Sequence, residues 1–519
     1  MRNANRAPRI DRRRFVLGGG ALTGLLLAGR WRAPLLARPV FAANPFSLGV
    51  ASGDPLPDGV VLWTRLAPDP LNGGGMPSLD VAVDWEIAAD EGLQRVVQRG
   101  TVIASARLAH AVHVEVVGLA AAHWYWYRFR VGEAVSATGR TRTAPAVGSA
   151  PGLVRFAVAS CQNYEQGLFT AYQHMAGEEL DFALHLGDYI YEGGATANRV
   201  RRHNGAEVRT LAAYRDRYAL YKLDPDLQAA HAAFPFVVVW DDHEVSDNYA
   251  ADLDKHGTPA AEFLLRRADA YQAYYEHQPL RLGSMPCGPD LLLYRRLLFG
   301  DLLALSVLDT RQYRTDQPCG DGVRPPCEGV DDPAQEMLGA AQERWLLAEM
   351  TASPARWNAI GQQVMMAPLD TRAGAEQVLT LDHWAGYPRA RERVLRGLVE
   401  RGVTNPLVLT GDVHANWVHD LRLDFARPET PVIATEFVGT SISSGGNGAA
   451  ERRDLATVLA ENPHIRFYNG QRGYVVCTVS PERWTAAYRV VSNVTAPGGV
   501  VGTRAAFVVE AGRSGAEPA

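Results

Sequence analysis

The sequence predicts an α/β chain: a layered domain with a mixed sheet, preceded by an N-terminal antiparallel β-sandwich. Three observations carry this. From Phe46 to about Ala150 short β-prone runs alternate with turns; beyond that point strand-like apolar runs recur among helical segments. Between the two patterns, Thr143-Ala144-Pro145 and Ala150-Pro151-Gly152 punctuate the chain. The expected divisions are therefore a leader over 1–42, a sandwich over 43–150 and the layered domain over 151–519.

The leader is read first. Arg12-Arg13-Arg14-Phe15 precedes Val16-Leu17 and a Gly/Ala/Leu stretch ending near Ala28, the pattern of a twin-arginine signal peptide. The stretch is short and glycine-rich for a membrane span, which needs about 20 apolar residues. Cleavage is expected near Val40-Phe41-Ala42, with the twin-arginine translocase as partner and an extracytoplasmic or secreted destination. The whole chain has a net charge of −5, and the leader, with nine Arg and one Asp, carries +8, which leaves −13 for the rest. So acidic a surface disfavours nucleic-acid backbone as a stable partner.

The sandwich rests on Val60 to Thr64, Val81 to Trp85, Val112 to Val117 and Trp124 to Phe129, each a short run with strand-like patterning. The aromatic alternation of Trp124-Tyr125-Trp126-Tyr127 invites a carbohydrate-binding reading, but one face of such a strand ordinarily fills the core. In the layered domain, strands are expected at Val154 to Ser160, Phe182 to Leu186, Phe236 to Trp240, Leu302 to Leu308, Ala359-Ile360 and Leu407 to Thr410. Helices are expected at Phe169 to Glu178, Ala260 to Glu276, Glu336 to Met350 and Ala390 to Glu400. Tyr474 to Val479 and Trp484 to Val490 read as a hairpin, which makes the sheet mixed. Helical material between Val200 and Glu276 could be a lid or scaffold.

Three acidic islands follow apolar runs: Gly187-Asp188-Tyr189-Ile190-Tyr191-Glu192, Trp240-Asp241-Asp242-His243-Glu244 and Gly411-Asp412-Val413-His414. Loops at the carboxyl ends of strands commonly build active sites. Each Gly-Asp pair turns the chain and sets a carboxylate just past its strand. The islands read as ligands of a two-metal hydrolase site. Asp188 is the candidate bridge between cations. Tyr191 could add a phenolate, which requires strong positive charge nearby because its ordinary pKa is about 10. Cys161, at the end of its own strand, is either a buried structural cysteine or a thiolate ligand. With Asp188, Tyr191 and His414 it would make a mixed soft and hard set suited to ferric iron, with zinc the alternative. Asp188, Asp242 and Asp412 would hold a second, oxygen-loving cation, calcium first and magnesium or manganese next, with Asn163, Asn248, Gln362 or Gln363 as extra help.

His243 is the candidate to donate a proton to a leaving oxygen, and Arg311, with Arg314, the candidate to bind phosphate. Cys319 and Cys327 bracket a Gly/Pro-rich loop and are expected to pair; Cys287 and Cys477 could pair or remain buried. A redox protein using iron is the competing class, and the aspartate-rich second site argues against it.

Phe46-Ser47-Leu48-Gly49-Val50-Ala51-Ser52-Gly53-Asp54-Pro55, Leu62-Trp63-Thr64-Arg65, Ser160-Cys161-Gln162-Asn163, the three islands and Leu308 to Arg314 together resemble the PhoD-type alkaline phosphatase and phosphodiesterase family. The likeness runs almost end to end. It implies a calcineurin-like metallophosphoesterase core behind a fibronectin-like sandwich. It also implies ferric iron at Cys161, Asp188, Tyr191 and His414, and one or more calcium ions at Asp188, Asp242 and Asp412. The activity implied is hydrolysis of phosphomonoesters or phosphodiesters by metal-activated hydroxide, with a calcium-dependent phospholipase D as the alternative. Phospholipid or cell-wall polymer is then a further candidate substrate.

Overall fold

Two large mixed sheets form the body of the molecule. In this computed structural model Phe41 and residues 43–519 are described, so the expected leader lies outside the described residues except for Phe41. The first sheet has ten strands, in the order Glu517–Pro518, Val501–Glu510, Arg483–Val491, Gly473–Val479, Val154–Ala159, Phe182–Leu186, Phe236–Val239, Val50–Leu56, Gly59–Arg65, Ala111–Val117. The second has eight: Arg295–Phe299, Leu303–Val307, Trp357–Gln362, Pro406–Thr410, Ala434–Val438, Asn416–Leu421, Ile465–Gln471 and Gly448–Ala449. The strands that carry the acidic islands run parallel to their neighbours: Phe182–Leu186 with Phe236–Val239 in one sheet, Pro406–Thr410 with Trp357–Gln362 in the other. Their carboxyl ends therefore meet at one edge of the layers.

These strands are continuous apolar runs because both faces are covered. Phe156, Phe182 and Phe299 stack in series with centroids 4.6 and 4.5 Å apart, joining the two sheets. A Cβ on Gly361 would meet Leu184 at 3.1 Å, so the absent side chain lets the layers close. Helices Gly339–Thr351 and Pro388–Glu400 pack outside the second sheet through Leu346, Leu395 and Leu398 against Ile360 and Val408. On the other side lie Leu211–Lys222 and Ala260–His277, whose Tyr214, Tyr218, Tyr221, Tyr271 and Tyr274 are buried in the core. That burial makes the segment scaffold, not lid.

The N-terminal strands form a sandwich whose two faces differ in connection. Val96–Ala104, Val81–Ala88, Trp124–Val131 and Ala134–Val135, with Gly139–Arg142 beside Trp124–Val131, make a separate five-stranded sheet. The opposing face is the end of the ten-stranded sheet: Gly53 pairs in parallel with Phe236. A Cβ at Gly53 would lie 2.4 Å from the Pro279 carbonyl oxygen, so only glycine allows this junction. Val60, Leu62, Val112, Val114, Val83, Ile87, Tyr127 and Phe129 fill the space between. Trp124–Val131 buries alternate residues, so its aromatics serve the core on one face.

Cys319 and Cys327 are disulfide-bonded, while Cys161, Cys287 and Cys477 are free thiols, Cys287 exposed and Cys477 buried.

Candidate metal centre

The three acidic islands and Cys161 converge at the shared strand edge. Ligand atoms of Cys161, Asp188 and His414 lie within 4.8 Å of one another, as do those of Asp188, Asp242 and His243, and those of Asp241, Asp242 and Asp412. Asp188 and Asp242 each belong to two of these groups, so the three form one continuous cluster. Tyr191 completes the first: its hydroxyl donates to Asp188 Oδ2 at 2.8 Å and lies 3.2 Å from His414 Nε2 and 2.6 Å from Ser444 Oγ.

The loops are held to each other by one carboxylate. Glu244 accepts from the backbone amides of Asp188 at 3.1 Å, Tyr189 at 2.6 Å and Asp241 at 2.9 Å. It ties the end of Phe182–Leu186 to the end of Phe236–Val239. Burial pushes its pKa up to about 7. Gly187 sits where these loops touch, with φ +104°; a Cβ there would fall 2.5 Å from the Asp241 amide.

The donor set fits cations. Asp188 Oδ1 and Asp241 Oδ2 are buried oxygens with no hydrogen-bond partner, and Asp242 Oδ1 has only Arg311 Nη2 at 3.5 Å. Burying an unpaired carboxylate is costly unless a counter-charge is present. Burial, aided by the neighbouring acids, raises the Asp188 and Asp241 carboxyls well above their ordinary range. Burial likewise raises the Cys161 thiol, with Asp188 and Asp412 adding to it, and raises the Tyr191 phenol, with Asp188 and Cys161 adding to it. A cation reverses those terms, favouring thiolate and phenolate. Burial pushes His414 down to about 4, which keeps its imidazole neutral and able to ligate.

His243 stands at the rim with its side chain 23% exposed. Glu192 Oε2 holds its Nδ1 at 2.7 Å, and Asp247 Oδ1 lies 3.9 Å from its Nε2. Burial works against the imidazolium here, but Glu192, Asp188 and Asp242 outweigh it and raise the pKa well above the usual value.

Arg311 corrects its expected role. Its side chain is fully buried and its guanidinium is taken by Asp241, by Asp382 at 2.9 Å and by Asp242 at 3.5 Å. Arg314 also points to Asp382 and is buried. Neither faces the open side of the cage, so both hold carboxylates in place. Gln362 and Gln363 are also engaged structurally, with Trp384 and Thr410, and with Thr310 and the Leu308 carbonyl. Asn163 accepts from the Glu165 amide, whereas Asn248 does touch the site through its amide, 2.6 Å from Asp242 Oδ2.

Sequence reasoning missed His383, whose Nε2 lies 2.7 Å from Asp412 Oδ2, and the Asp241 and Glu244 contributions. The Asp241 and Glu244 positions lie within a recognised island; His383 follows no apolar strand and carried no such signal.

The family signature "PhoD-like phosphatase" matches residues 156–488, and "PhoD-like phosphatase, N-terminal domain" matches residues 32–145. The chain is 50% identical over 518 residues to alkaline phosphatase D of Bacillus subtilis (strain 168), covering 98% of this chain and 88% of that protein. It is 51% identical to the solved structure of PhoD, with a TM-score of 0.91 over 92% of this chain and 93% of that one. The strand edge that gathers these acids thus belongs to a known kind of phosphoric ester hydrolase, and this chain is a member of the PhoD-like phosphatase family.

Proposed function

We propose that the enzyme is exported by the twin-arginine route and hydrolyses phosphomonoesters and phosphodiesters outside the cytoplasm. In this reading residues 1–42 are the leader, 43–150 the accessory sandwich and 151–519 the hydrolase domain. Cys161, Asp188, Tyr191 and His414 would hold ferric iron, and Asp188, Asp242 and Asp412 calcium, with Asp241 close enough to share it. Such cations would lower the pKa of water and offset charge on the phosphoryl oxygens. The chain's own groups do the rest. His243 donates a proton from Nε2 to the leaving oxygen, its ring fixed by Glu192. Arg311 and Asp382 position Asp241 and Asp242, and Glu244 fixes the spacing of the two loops.

The observation that carries this reading is the pair of unpartnered oxygens on Asp188 and Asp241, clustered with Asp242 and Asp412 beside a thiol and a phenol. Metal analysis of active protein, with rates on p-nitrophenyl phosphate, bis-p-nitrophenyl phosphate and phosphatidylcholine, tests it. Iron and calcium together with phosphate-ester turnover support it. Choline release would redirect it to phospholipase D chemistry. Full activity after metals are stripped would overturn it.

A further inference from the structure

A cavity of about 460 Å³ opens beside the cage, lined by its Asp412 and His414 and by His383, Trp417, Tyr468 and Arg452. Small-molecule sites span about 300–1,000 Å³, so this space is larger than a phosphate alone requires. Cavities of about 330, 660 and 540 Å³ elsewhere are lined by none of the cage residues. A phosphoryl group held at the cage therefore has room here for its organic substituent.

The chemistry of the walls selects what that substituent is. Trp417 is buried and fixed, its carbonyl accepting from the Tyr488 hydroxyl at 2.6 Å. Tyr468 is half-buried and leans on it, with ring centroids 4.5 Å apart at 58°. Leu369, Val413 and Ala415 supply apolar surface. The two cations in the lining are already engaged. Arg452 bonds Asp454 through both carboxylate oxygens, at 2.6 and 2.7 Å. Arg472 donates to the carbonyls of His414, Gly470 and Ser444 at 2.7, 2.6 and 2.7 Å. Of these only Arg452 is paired with a carboxylate; Arg472 keeps its charge but is buried, with its Nη donors turned to backbone carbonyls, whereas an aromatic or other flat ring finds an accessible partner in Tyr468.

We propose that this cavity is the subsite for the alcohol portion of the ester, that it prefers a ring-bearing alcohol, and that Tyr468 is its specificity-determining contact. The inference rests on phosphate-ester hydrolysis at the adjoining cage. It assigns no chemical step to Tyr468, only the binding of the group attached to phosphorus.

The metal-replete enzyme is assayed on phenyl phosphate and on glycerol 2-phosphate, and each variant is compared with wild type on the same substrate so that leaving-group reactivity cancels. Tyr468→Ala is expected to lower kcat/KM for phenyl phosphate about three- to tenfold, mainly through KM, and to leave glycerol 2-phosphate within about twofold. Tyr468→Phe keeps the ring and should retain wild-type values on both. Leu369→Trp, on another wall, fills the space and should also penalise the ring-bearing ester more. Equal losses on both esters, or no loss on phenyl phosphate, would overturn the subsite while leaving the hydrolase reading intact. A wild-type enzyme that turned over neither ester would overturn the subsite together with the phosphomonoester part of the proposed activity.

Discussion

Lys222→Met is expected to stabilise the protein at neutral and acid pH and to do little at strongly alkaline pH. Lys222 ends the helix Leu211–Lys222 and is 2% exposed. Burial alone pushes its amine from the ordinary 10.5 down to about 7. The neighbours are aromatic: Nζ lies 4.3 Å from the Trp63 ring centroid and 5.2 Å from that of Tyr189. A difference of about 3.5 pKa units at 1.36 kcal/mol each corresponds to about 5 kcal/mol against the buried ammonium. The aromatic faces return about 2 kcal/mol, which leaves a net cost of about 3 kcal/mol. Because the aromatic faces also draw the folded-state pKa back toward the ordinary value, the unfolded chain binds the extra proton over the upper part of the interval from pH 7 to 10.5, and there this group makes stability rise with pH. The cost is fully present below pH 7 and absent above 10.5. Methionine carries no charge and fills similar space, so it removes the cost only where the cost exists. For a compact unit of about 480 residues, an unfolding entropy of about 2.1 cal/mol/K per residue makes 3 kcal/mol worth about 3 °C in Tm. Thermal melts of both proteins at pH 6 and pH 10.5 measure it. A variant less stable at pH 6, or a gap of the same size at both pH values, would refute the reasoning.

Changes at the cage should separate the two proposed cations. Asp188→Asn removes the shared carboxylate charge, and elemental analysis should show both metals depleted, with kcat lowered by about 100-fold or more. Tyr191→Phe should chiefly reduce iron retention and its visible absorption while calcium stays; unchanged occupancy and turnover in both variants would contradict the assignment. Asp382→Asn withdraws the carboxylate that Arg311, Arg314 and Gln317 share and leaves the buried Arg314 guanidinium without its ion-pair partner. It should cost about 3–5 kcal/mol, read as a lowered Tm in the apoprotein and the holoprotein alike.

Much of this arrangement is legible in the sequence because it is local. Phe182–Leu186, Phe236–Val239 and Pro406–Thr410 are short apolar runs, and each is followed at once by acids. The hairpin Gly473–Val479 with Arg483–Val491 also shows in its own residues. What escapes is set by contacts across the chain. The pairing of Gly53 with Phe236 leaves no trace in either segment alone, so a sandwich is readable but its fusion to the large sheet is not. Leu211–Lys222 lacks a clear apolar stripe because Arg217 and Lys222 are buried along with Tyr214, Tyr218 and Tyr221, so it reads only as unplaced helical material between Val200 and Glu276. Arg311 reads as a phosphate ligand from composition, since a sequence does not say whether a guanidinium meets a substrate or a buried carboxylate. His383 arrives through the loop after Leu379–Thr380, a two-residue strand paired with Val323–Arg324.

The convergence of the cage depends on backbone that most residues avoid. Cys161, Asp188, Asp412 and His414 have φ of 60°, 56°, 61° and 52°, and Asn248, whose amide supports Asp242, has 54°. A left-handed non-glycine residue costs about 1–2 kcal/mol. The need follows from strand geometry: side chains alternate between faces, so a strand continued straight would send successive ligands to opposite sides of its sheet. A left-handed turn just past Ala159, Leu186 and Thr410 breaks that alternation and swings thiol, carboxylate and imidazole to one side. The backbone recovers part of the cost through hydrogen bonds made only in this conformation: Cys161 N to Gly187 O and Gln162 N to Asp188 O, both at 3.0 Å, with Val413 N to Gly411 O at 2.8 Å. Glu244 adds its three amide contacts. Strand ends, amides and one buried glutamate therefore supply the bending. What cation binding contributes is relief of repulsion among carboxylates that the fold has already brought together.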